Sequence, residues 1–298
     1  MQIGYISDIG KRKESNEDSI LCLRLDAQSN SISEMSGLFI VADGMGGHNA
    51  GEIASKLGIR LMARVCLSRM LGLDDKYSPD EPVIGDPGMI LHVALGVANS
   101  IIYNTAKKDN SLHGMGTTIS AALIIGQDLY IINAGDSRCY IINEKENIRV
   151  TKDHSLVQEM VDAGLITPAE TATHPQKNIL TRVVGYDNKV KPDSYHRRMY
   201  QGDHILICSD GLWSVTPDQR IREIILAAAT PQQACIDLVD QANQLGGPDN
   251  ISVIVVKPDN LPVRQDIMEA ETQILQVSEL QVEKNTQQRK GLFSFFHQ

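Results

Sequence analysis

Four aspartates of this chain occupy the same kind of position, next to a short apolar run and beside Gly, Asn or Ser. They are Asp43 in FIVADGMGG, Asp136 in YIINAGDSR, Asp210 in ILICSDGLW and Asp249 in GGPDNISVIVV, where the Asp precedes the run. Each site alone could be ordinary turn chemistry, because Asp and Gly tolerate tight turns. Turn chemistry does not explain why all four flank such apolar segments. We therefore predict that these carboxylates converge.

A further acidic position, the Glu17-Asp18 pair in SNEDSI, precedes the apolar run SILCLRL. Carboxylates that converge at the rims of buried strands repel one another unless cations compensate them. The set offers oxygen ligands without His or Cys at matching positions, which favours Mg²⁺ or Mn²⁺ over zinc. Two such ions about 3.5–4 Å apart activate water for attack on phosphorus. Hydrolysis of phosphate monoesters is a reaction that needs this help.

The elements that position these residues are short β-branched runs separated by longer stretches with helical spacing. Several runs are apolar at consecutive positions, which predicts strands buried on both faces. The strands fall mostly into consecutive hairpins and the helices into pairs, which favours an α+β layered domain. Strands are predicted at 37–42, 117–125, 129–134, 139–143, 204–209 and 251–256, helices at 50–70, 87–107, 155–164, 217–229 and 231–245, and a surface loop at 77–88.

Composition narrows the class of protein. The 298 residues carry a net charge of −9, which argues against a nucleic-acid binder because such a protein needs a basic face. The sequence contains no run of about 18 apolar residues, so no membrane span is predicted. At the N-terminus the basic residues follow a short mixed segment instead of preceding an apolar one, which is the wrong order for a secretory signal. The five cysteines lack a CxxC pair and predict reduced thiols. We expect a soluble, cytoplasmic monomer.

The composition changes after Pro258, where a Gln- and Glu-rich stretch begins. We therefore predict a catalytic domain at 1–258 and a tail at 259–298, partly helical or disordered. A 3-4-3 spacing suggests one helical stripe, and three aromatic residues follow two basic ones near the end. The tail either docks on its own domain or tethers a partner, whereas a membrane-surface anchor is disfavoured by its few basic residues. These residues are Ile267, Ala270, Ile274 and Val277 in the stripe, and Phe293, Phe295 and Phe296 after Arg289 and Lys290.

Six separated motifs agree in order with a known family. NED, VADGMGGH, GMGTT, GDSR, SDGLW and GGPDN resemble the type 2C metal-dependent protein phosphatases in their bacterial form, over about residues 1–257. The resemblance implies a four-layer αββα sandwich, in which two antiparallel sheets are flanked by helix pairs, with a flap subdomain at 151–185. It also implies hydrolysis of phosphoserine and phosphothreonine in proteins, opposing a serine/threonine kinase. An ordinary helix and loop packed on the sheet is the alternative for the flap.

The resemblance also implies a role for each acidic residue. Asp43 would bridge two metal ions, and Glu17 would orient waters. Asp136 would help to hold a weaker third ion together with Asp210. The remaining implied ligands are Asp210 and Asp249 at the first core ion, and Asp18 with the Gly44 carbonyl at the second.

One position departs from the family pattern. The family places an Arg four residues before the Glu of NED to grip the substrate phosphate, and this chain has Lys13 there with Arg12 beside it. We predict that Lys13 binds the phosphate, as a point charge rather than a planar two-pronged donor. The alternative is that a shifted loop presents Arg12. His48 could donate a proton to the leaving alkoxide, or could simply contact the backbone near a helix N-terminus.

Three competing functions remain open at this point. A dinucleotide site is suggested by the strand, Gly-rich turn and helix around VADGMGG, but Asp43 would stand where a pyrophosphate must approach. A catalytically weak or dead member of the fold would act as a binding module, although this chain keeps all the carboxylates. A phosphatase of a small phosphoester would use the same chemistry.

Overall fold

A computed structural model describes residues 1–29, 32–47, 49–71 and 86–264, together with the backbone of Gln273–Ile274. Within these ranges the chain forms two large antiparallel sheets and two helix pairs. The strands are β1 (Gln2–Asp8), β2 (Ser19–Ser29), β3 (Ile32–Ala42), β4 (Gly44–Met45), β5 (Gly116–Thr117), β6 (Ile119–Ile125), β7 (Asp128–Ala134), β8 (Arg138–Ile142), β9 (Asn147–Arg149), β10 (Asp193–Arg198), β11 (His204–Cys208), β12 (Ile251–Lys257) and β13 (Gln273–Ile274).

Some helices begin directly after a side chain that caps them, whereas others, such as the helix after Asn49, begin without such a bond. α2 starts at a proline after Asp86, whose side chain accepts a hydrogen bond from the Gly88 amide, and α6 starts at a proline after Thr230, which caps Gln233. The bounds lie within about two residues of the predicted ones at most ends. The helices are α1 (Ala50–Met70), α2 (Pro87–Lys108), α3 (Leu156–Asp162), α4 (Asp210–Trp213), α5 (Asp218–Ala227) and α6 (Pro231–Gln244).

The two sheets stack on each other. The five-stranded sheet has the order β1-β12-β11-β8-β9, and the six-stranded sheet has the order β13-β10-β7-β6-β3-β2. One apolar core lies between the sheets, a second joins the six-stranded sheet to α1 and α2, and a third joins the five-stranded sheet to α5 and α6. The layers are therefore α, β, β and α, which confirms the predicted sandwich.

The strand β3 illustrates how sequence builds these layers. Successive side chains of a strand point to opposite faces of the sheet. Leu38 and Ile40 therefore join the core beneath the first helix pair, whereas Phe39 and Val41 join the core between the sheets. All four are fully buried, which explains why this strand reads as a continuous apolar run.

Three features differ from the sequence-based expectation or qualify it. The strands β1 and β10, with the sequences QIGYISD and DSYHRR, were not predicted because polar residues interrupt them. Helix α2 is long and apolar enough by composition to cross a membrane, but it packs in the core between the six-stranded sheet and the first helix pair, and we interpret it as a core helix. Ile274 of the predicted helical stripe lies in β13, because the edge of β10 offers its backbone a partner. The other stripe residues, the terminal aromatics and most of the 77–88 loop lie outside the described residues.

Candidate active site

Strand pairing brings Asp18 beside Asp43. β2 and β3 form a hairpin in which Ser19 pairs with Ala42, so the residues just outside that pair are neighbours at the end of the six-stranded sheet. Asp18 is only 7% exposed, whereas Asp43 keeps part of its surface open to solvent. The two carboxylates therefore lie next to each other at this end of the sheet, beside the solvent-open side of Asp43, which we call the cleft.

Strand pairing also brings Asp136 towards Asp210. β8 and β11 are neighbours in the five-stranded sheet, and Arg138 pairs with Cys208. Asp136 lies two residues before Arg138, and Asp210 lies two residues after Cys208 at the start of α4. Because the strands are antiparallel, both aspartates lie at the same end of the sheet.

The backbone of Asp43 is held by the threonines of the GMGTT motif. The Thr118 hydroxyl accepts a hydrogen bond from the Asp43 amide at 3.0 Å, and the Thr118 amide donates to the Asp43 carbonyl at 2.8 Å. The Thr117 hydroxyl donates to the same carbonyl at 2.9 Å. The backbone amide and carbonyl of Asp43 are therefore both hydrogen-bonded by the threonines, so the backbone that carries the Asp43 carboxylate is held in place.

Asn250, the last residue of the GGPDN motif, binds three points of the segment that leads to Asp18. Its side-chain nitrogen donates to the carbonyls of Ile9 and Ser15, each at 3.0 Å, and its side-chain oxygen accepts from the Glu17 amide at 2.9 Å. Asn250 is 2% exposed. The residue next to Asp249 thus fixes the loop that carries Lys13, Glu17 and Asp18.

Gly44 lies where a larger residue would not fit. A Cβ at this position would collide with the carbonyl oxygens of Gly51 and Glu17. The glycine therefore allows the backbone after Asp43 to pass close to the start of α1 and to the segment before Asp18. Burial raises the pKa of Glu17 in this crowded region, although the charge of Lys13 acts against the rise.

The acidic side chains repel one another strongly. Burial and the charges of four neighbouring carboxylates raise the pKa of Asp43 well above its usual value. Burial raises the pKa of Asp18 to about 7, with the charge of Asp210 acting in the same direction and a 2.7 Å hydrogen bond from Ser209 opposing it. The four neighbours of Asp43 are Asp18, Asp210, Asp136 and Asp249.

Asp210 and Asp136 show the same effect. Burial and the charge of Asp249 raise the pKa of Asp210 to about 6, while a hydrogen bond with Asp43 limits the rise. Burial, followed by repulsion from Asp210, raises the pKa of Asp136 well above its usual value. The cluster therefore has an excess of negative charge that the surrounding protein does not neutralise.

Lys13 points into this cluster. Its Nζ lies 2.6 Å from Asp249 Oδ1, and both side chains are between a third and a half exposed. Burial lowers the pKa of Lys13, but the hydrogen bond to Asp249 and the neighbouring carboxylates outweigh it, so the pKa is raised. Arg12 lies near the Gly246–Gly247 turn instead. The arrangement places Lys13, rather than Arg12, at the carboxylates.

The donor set fits hard divalent cations that retain water. Asp210 Oδ1 is buried and has no hydrogen-bond partner among the described residues, so this carboxylate retains an unsatisfied acceptor that a cation could bind. Within the same described ranges, no three His, Cys, Asp or Glu side chains lie close enough to enclose one ion by themselves. Carboxylate oxygens with retained waters suit Mg²⁺ and Mn²⁺ better than zinc, for which Cys and His are common ligands, and an ion bound here would draw the carboxylates closer together.

The 151–185 segment is attached beside the site through Asp193 at the start of β10. The Gly135 amide donates to His154 Nδ1 at 3.2 Å, so Nε2 carries the proton and donates to Asp193 at 3.0 Å. Arg182 Nη1 donates to the same carboxylate at 2.6 Å. Both stems of the segment thus meet one residue. Its interior contains α3, a short 3-10 helix (Pro168–Thr173) and the exposed Leu165.

The structure brings together the seven predicted acidic and glycine positions and Lys13, whereas His48 lies outside the described residues. Sequence reasoning missed the residues that hold the acidic loops in place. All lie inside quoted motifs or next to them, so motif membership was the available signal. They are Thr117, Thr118, Ser209 and Asn250.

Comparison with known proteins agrees with this fold and site. The family model for protein phosphatase 2C matches residues 5–160. The serine/threonine phosphatase stp of Listeria monocytogenes is 34% identical over 261 residues, which span 87% of this chain and 96% of that protein. The serine/threonine protein phosphatase PstP of Mycobacterium tuberculosis is 37% identical over 249 residues, which span 84% of this chain and 43% of that longer protein.

A crystal structure of the M. tuberculosis PstP/Ppp phosphatase superposes with a TM-score of 0.70 at 35% identity, covering 86% of this chain and 98% of the solved one. Together with the five-aspartate cleft, these matches define the class of protein as a phosphatase. The chain belongs to the protein phosphatase 2C family, and the enzyme class predicted from the motifs is confirmed.

Proposed function

We propose that this protein hydrolyses phosphoserine and phosphothreonine in proteins at the five-aspartate cleft, and that it opposes a serine/threonine kinase. The observation that carries the proposal is the convergence of Asp18, Asp43, Asp136, Asp210 and Asp249 around a cleft that Lys13 enters. Such an excess of carboxylates is compensated by divalent cations in proteins.

Each residue has a proposed role. Asp43 would contact both core ions, Asp210 and Asp249 would complete one site, and Asp18 with the Gly44 carbonyl would complete the other. When bound, the two cations supply Lewis acidity and an activated water for attack on phosphorus. Lys13 would hold the phosphate through its ammonium group, which already contacts Asp249 at the edge of the cluster. Asn250 and the GMGTT threonines keep the carboxylate loops rigid.

The cations are Mg²⁺ or Mn²⁺ in this proposal. A solved structure of the PstP catalytic domain, described as a complex with two manganese ions, superposes with a TM-score of 0.69 at 34% identity and covers 85% of this chain. Asp136 and Asp210, which repel each other, would hold a weaker third ion. Glu17 would orient waters from the edge of the cleft.

The test is hydrolysis of a phosphothreonine peptide by the full chain. EDTA should abolish turnover and added Mn²⁺ should restore it. Asp43→Ala and Asp249→Ala should each lose most activity while remaining folded. Asp237→Asn is the matched control, because this acid lies on α6 and contacts Gln233. Full activity in the chelated protein would contradict the metal-dependent mechanism.

The same assay separates the competing functions. Turnover of small phosphorylated metabolites at a higher kcat/KM than phosphopeptides would identify a small-molecule phosphatase. No turnover of either substrate, with phosphopeptide binding retained, would identify a binding module. Physiological substrates can be sought in the phosphoproteomes of cells that lack this protein and of cells that carry the Asp43→Asn variant, because phosphorylation sites that rise in both are candidate substrates.

We further propose that the 151–185 flap controls protein substrates more than small ones. Its two stems are fixed at Asp193, while Leu165 and Ile179 between them are exposed at 70% and 45%. Replacing residues 166–176 by a Gly/Ser linker should slow turnover of phosphoproteins and leave p-nitrophenyl phosphate turnover largely unchanged. Equal losses on both substrates would mean that the segment is structural.

The tail is proposed to dock a partner. Its backbone at Gln273–Ile274 pairs with β10, and the aromatic residues Phe293, Phe295 and Phe296 lie beyond the described residues. Replacing these three by alanine should abolish retention of a cellular partner in a pull-down without changing basal turnover. A lower melting temperature and lower activity would instead indicate that the end of the chain stabilises the domain. We also propose that the protein is a monomer and that it is cytoplasmic. The five unpaired cysteines support the cytoplasmic location, because a reducing compartment keeps thiols free.

A further inference from the structure

Arg138, which follows Asp136 in the GDSR motif, makes contacts that the proposed mechanism does not use. Its Nε and Nη2 donate to the two oxygens of Asp153 at 2.9 and 2.7 Å, and its Nη1 donates to the Tyr140 hydroxyl at 3.1 Å. The Arg138 and Asp153 side chains are 11% and 8% exposed. A buried two-pronged pair of this kind orients the guanidinium plane in one direction.

The flat face of this guanidinium lies on Trp213. The guanidinium carbon is 3.5 Å from the centre of the indole ring. A cation over an indole face is attracted to it, and the planar guanidinium also stacks on the ring, which an ammonium group does not do. Arg138 therefore fixes the tilt of the Trp213 ring.

Trp213 in turn links two of the acidic positions. It is the last residue of the one-turn helix α4, whose first residue is Asp210. Its Nε1 donates a 3.0 Å hydrogen bond to the backbone carbonyl of Asp136. The indole is thus a rigid connection between the backbone of Asp136 and the helix that carries Asp210, although the two carboxylates repel each other.

We infer that Arg138 is a positioning residue that sets the spacing between Asp136 and Asp210 through the Trp213 ring, and thereby the affinity of this pair for a divalent cation. The inference rests on the proposed function. Asp153 stands at the base of the flap, and His154 beside it donates its amide to the Gly135 carbonyl at 3.0 Å. The same network therefore ties the flap stem to the Asp136 turn.

The sequence supplies a reporter for the test, because Trp213 is the only tryptophan in the chain. Intrinsic tryptophan fluorescence of the full chain should change on titration with Mg²⁺ and saturate. Arg138→Lys keeps the charge but loses the stack and the two-pronged pair. It should raise the half-saturating Mg²⁺ concentration about tenfold, the low end of the 10–100-fold effect typical of residues that orient metal ligands. Activity at saturating Mg²⁺ should stay within about threefold of the unmodified chain.

Arg149→Lys is the matched control. Arg149 Nη1 lies 3.6 Å from the same Asp153 carboxylate, but the Arg149 side chain is a third exposed to solvent. The Arg149→Lys substitution should therefore leave the Mg²⁺ titration unchanged. If Arg138→Lys does not fold, Trp213→Phe replaces it. That variant keeps an aromatic ring but removes the donor to Asp136, and it should raise the Mg²⁺ requirement of turnover and the calorimetric Kd by a similar factor.

The outcomes distinguish this inference from the proposed function. The inference would be overturned if the half-saturating Mg²⁺ concentration were the same in the unmodified chain and in a folded Arg138→Lys variant. It would also be overturned if Trp213 fluorescence did not change with Mg²⁺ while turnover required Mg²⁺. If neither Trp213 fluorescence nor turnover depended on Mg²⁺, the proposed function would be overturned instead.

Discussion

Asp193 and Asp43 are both carboxylates at strand ends, but their surroundings differ in charge. Burial raises the pKa of Asp193, yet hydrogen bonds from His154 and Arg182 outweigh burial and lower it well below its usual value. Asp43 has no such compensation from the described side chains close to it, and its pKa is raised.

The contrast teaches where the fold depends on ions from solution. Among the described residues, the cationic side chains whose charges act on this cluster are Lys13 and Arg138, and both are already paired, with Asp249 and Asp153. Five aspartates thus exceed the positive charge available from the protein around them. At Asp193 the carboxylate completes an internal network, whereas at Asp43 the carboxylates form an incomplete site that divalent cations would complete.

The largest expected difference between the two regions is in catalysis. Asp43→Asn should lower kcat about 10³-fold, which corresponds to about 4 kcal/mol of transition-state stabilisation. Its metal-free stability should not fall, because the substitution removes a repulsive charge. Asp193→Asn, measured on the same phosphopeptide, should change kcat less than about tenfold. Similar kcat losses in both variants would remove the distinction.

Metal binding should stabilise the fold through the Asp43 region alone. At a free Mg²⁺ concentration of about 100 times Kd, linkage gives about 2.7 kcal/mol for one site. For a domain of this size that corresponds to a rise in Tm of roughly 5–10 °C. Asp43→Asn should lose most of this rise in a thermal melt, and Asp193→Asn should keep it. If the Tm of the unmodified chain did not rise with Mg²⁺, the proposed metal site would be contradicted.

Lys13 is the cationic side chain that contacts the acidic cluster directly, through Asp249. Lys13→Ala should raise KM about tenfold with a smaller effect on kcat, if the phosphate contact is equal in ground and transition states. Lys13→Arg should be tolerated, since a guanidinium offers a two-pronged contact. Arg12→Ala is the matched control. Steady-state kinetics that show a severe loss for Arg12→Ala and none for Lys13→Ala would reassign the phosphate contact.

The smallest effect concerns the pH dependence of stability at Asp193. Its folded-state pKa is depressed, so its ion pairs stabilise the fold above the unfolded-state value near pH 4, and this contribution is lost as pH falls below that value. Asp193→Asn should therefore cost about 1 kcal/mol at neutral pH, as expected of a partly exposed pair. The cost should shrink below pH 4. A constant difference between the two melting curves across pH would show that the charge is irrelevant.

The sequence was sufficient to predict that the aspartates converge, because each adjoins a strand whose apolar run is visible locally. Their roles as metal ligands stay a prediction. The sequence was also sufficient for α1 and α2, where the helical spacing is clear, and for β3, whose continuous apolar run reflects burial on both faces. The prediction failed for β10, whose six residues DSYHRR are mostly polar. Asp193 at its start was missed for the same reason, although both flap stems meet there.

The supporting contacts could not be predicted, because they join residues far apart in the chain. Asn250 contacts Ile9 and Ser15 only because β12 pairs with β1, the first strand of the chain. The Thr118 bond to Asp43 similarly depends on β6 lying beside β3. Local pattern identifies which residues carry the chemistry, whereas strand register determines which other residues hold them.

The most direct test is anomalous scattering from a crystal of the full chain soaked in Mn²⁺. The account predicts two strong peaks between Asp43 and its neighbours Asp18, Asp210 and Asp249, and a weaker one between Asp136 and Asp210. It predicts no peak at Asp193, where Arg182 forms an ion pair with the carboxylate and His154 Nε2 donates a hydrogen bond to it. An empty Asp43 cleft at saturating Mn²⁺, or peaks confined to other surfaces, would contradict the central claim.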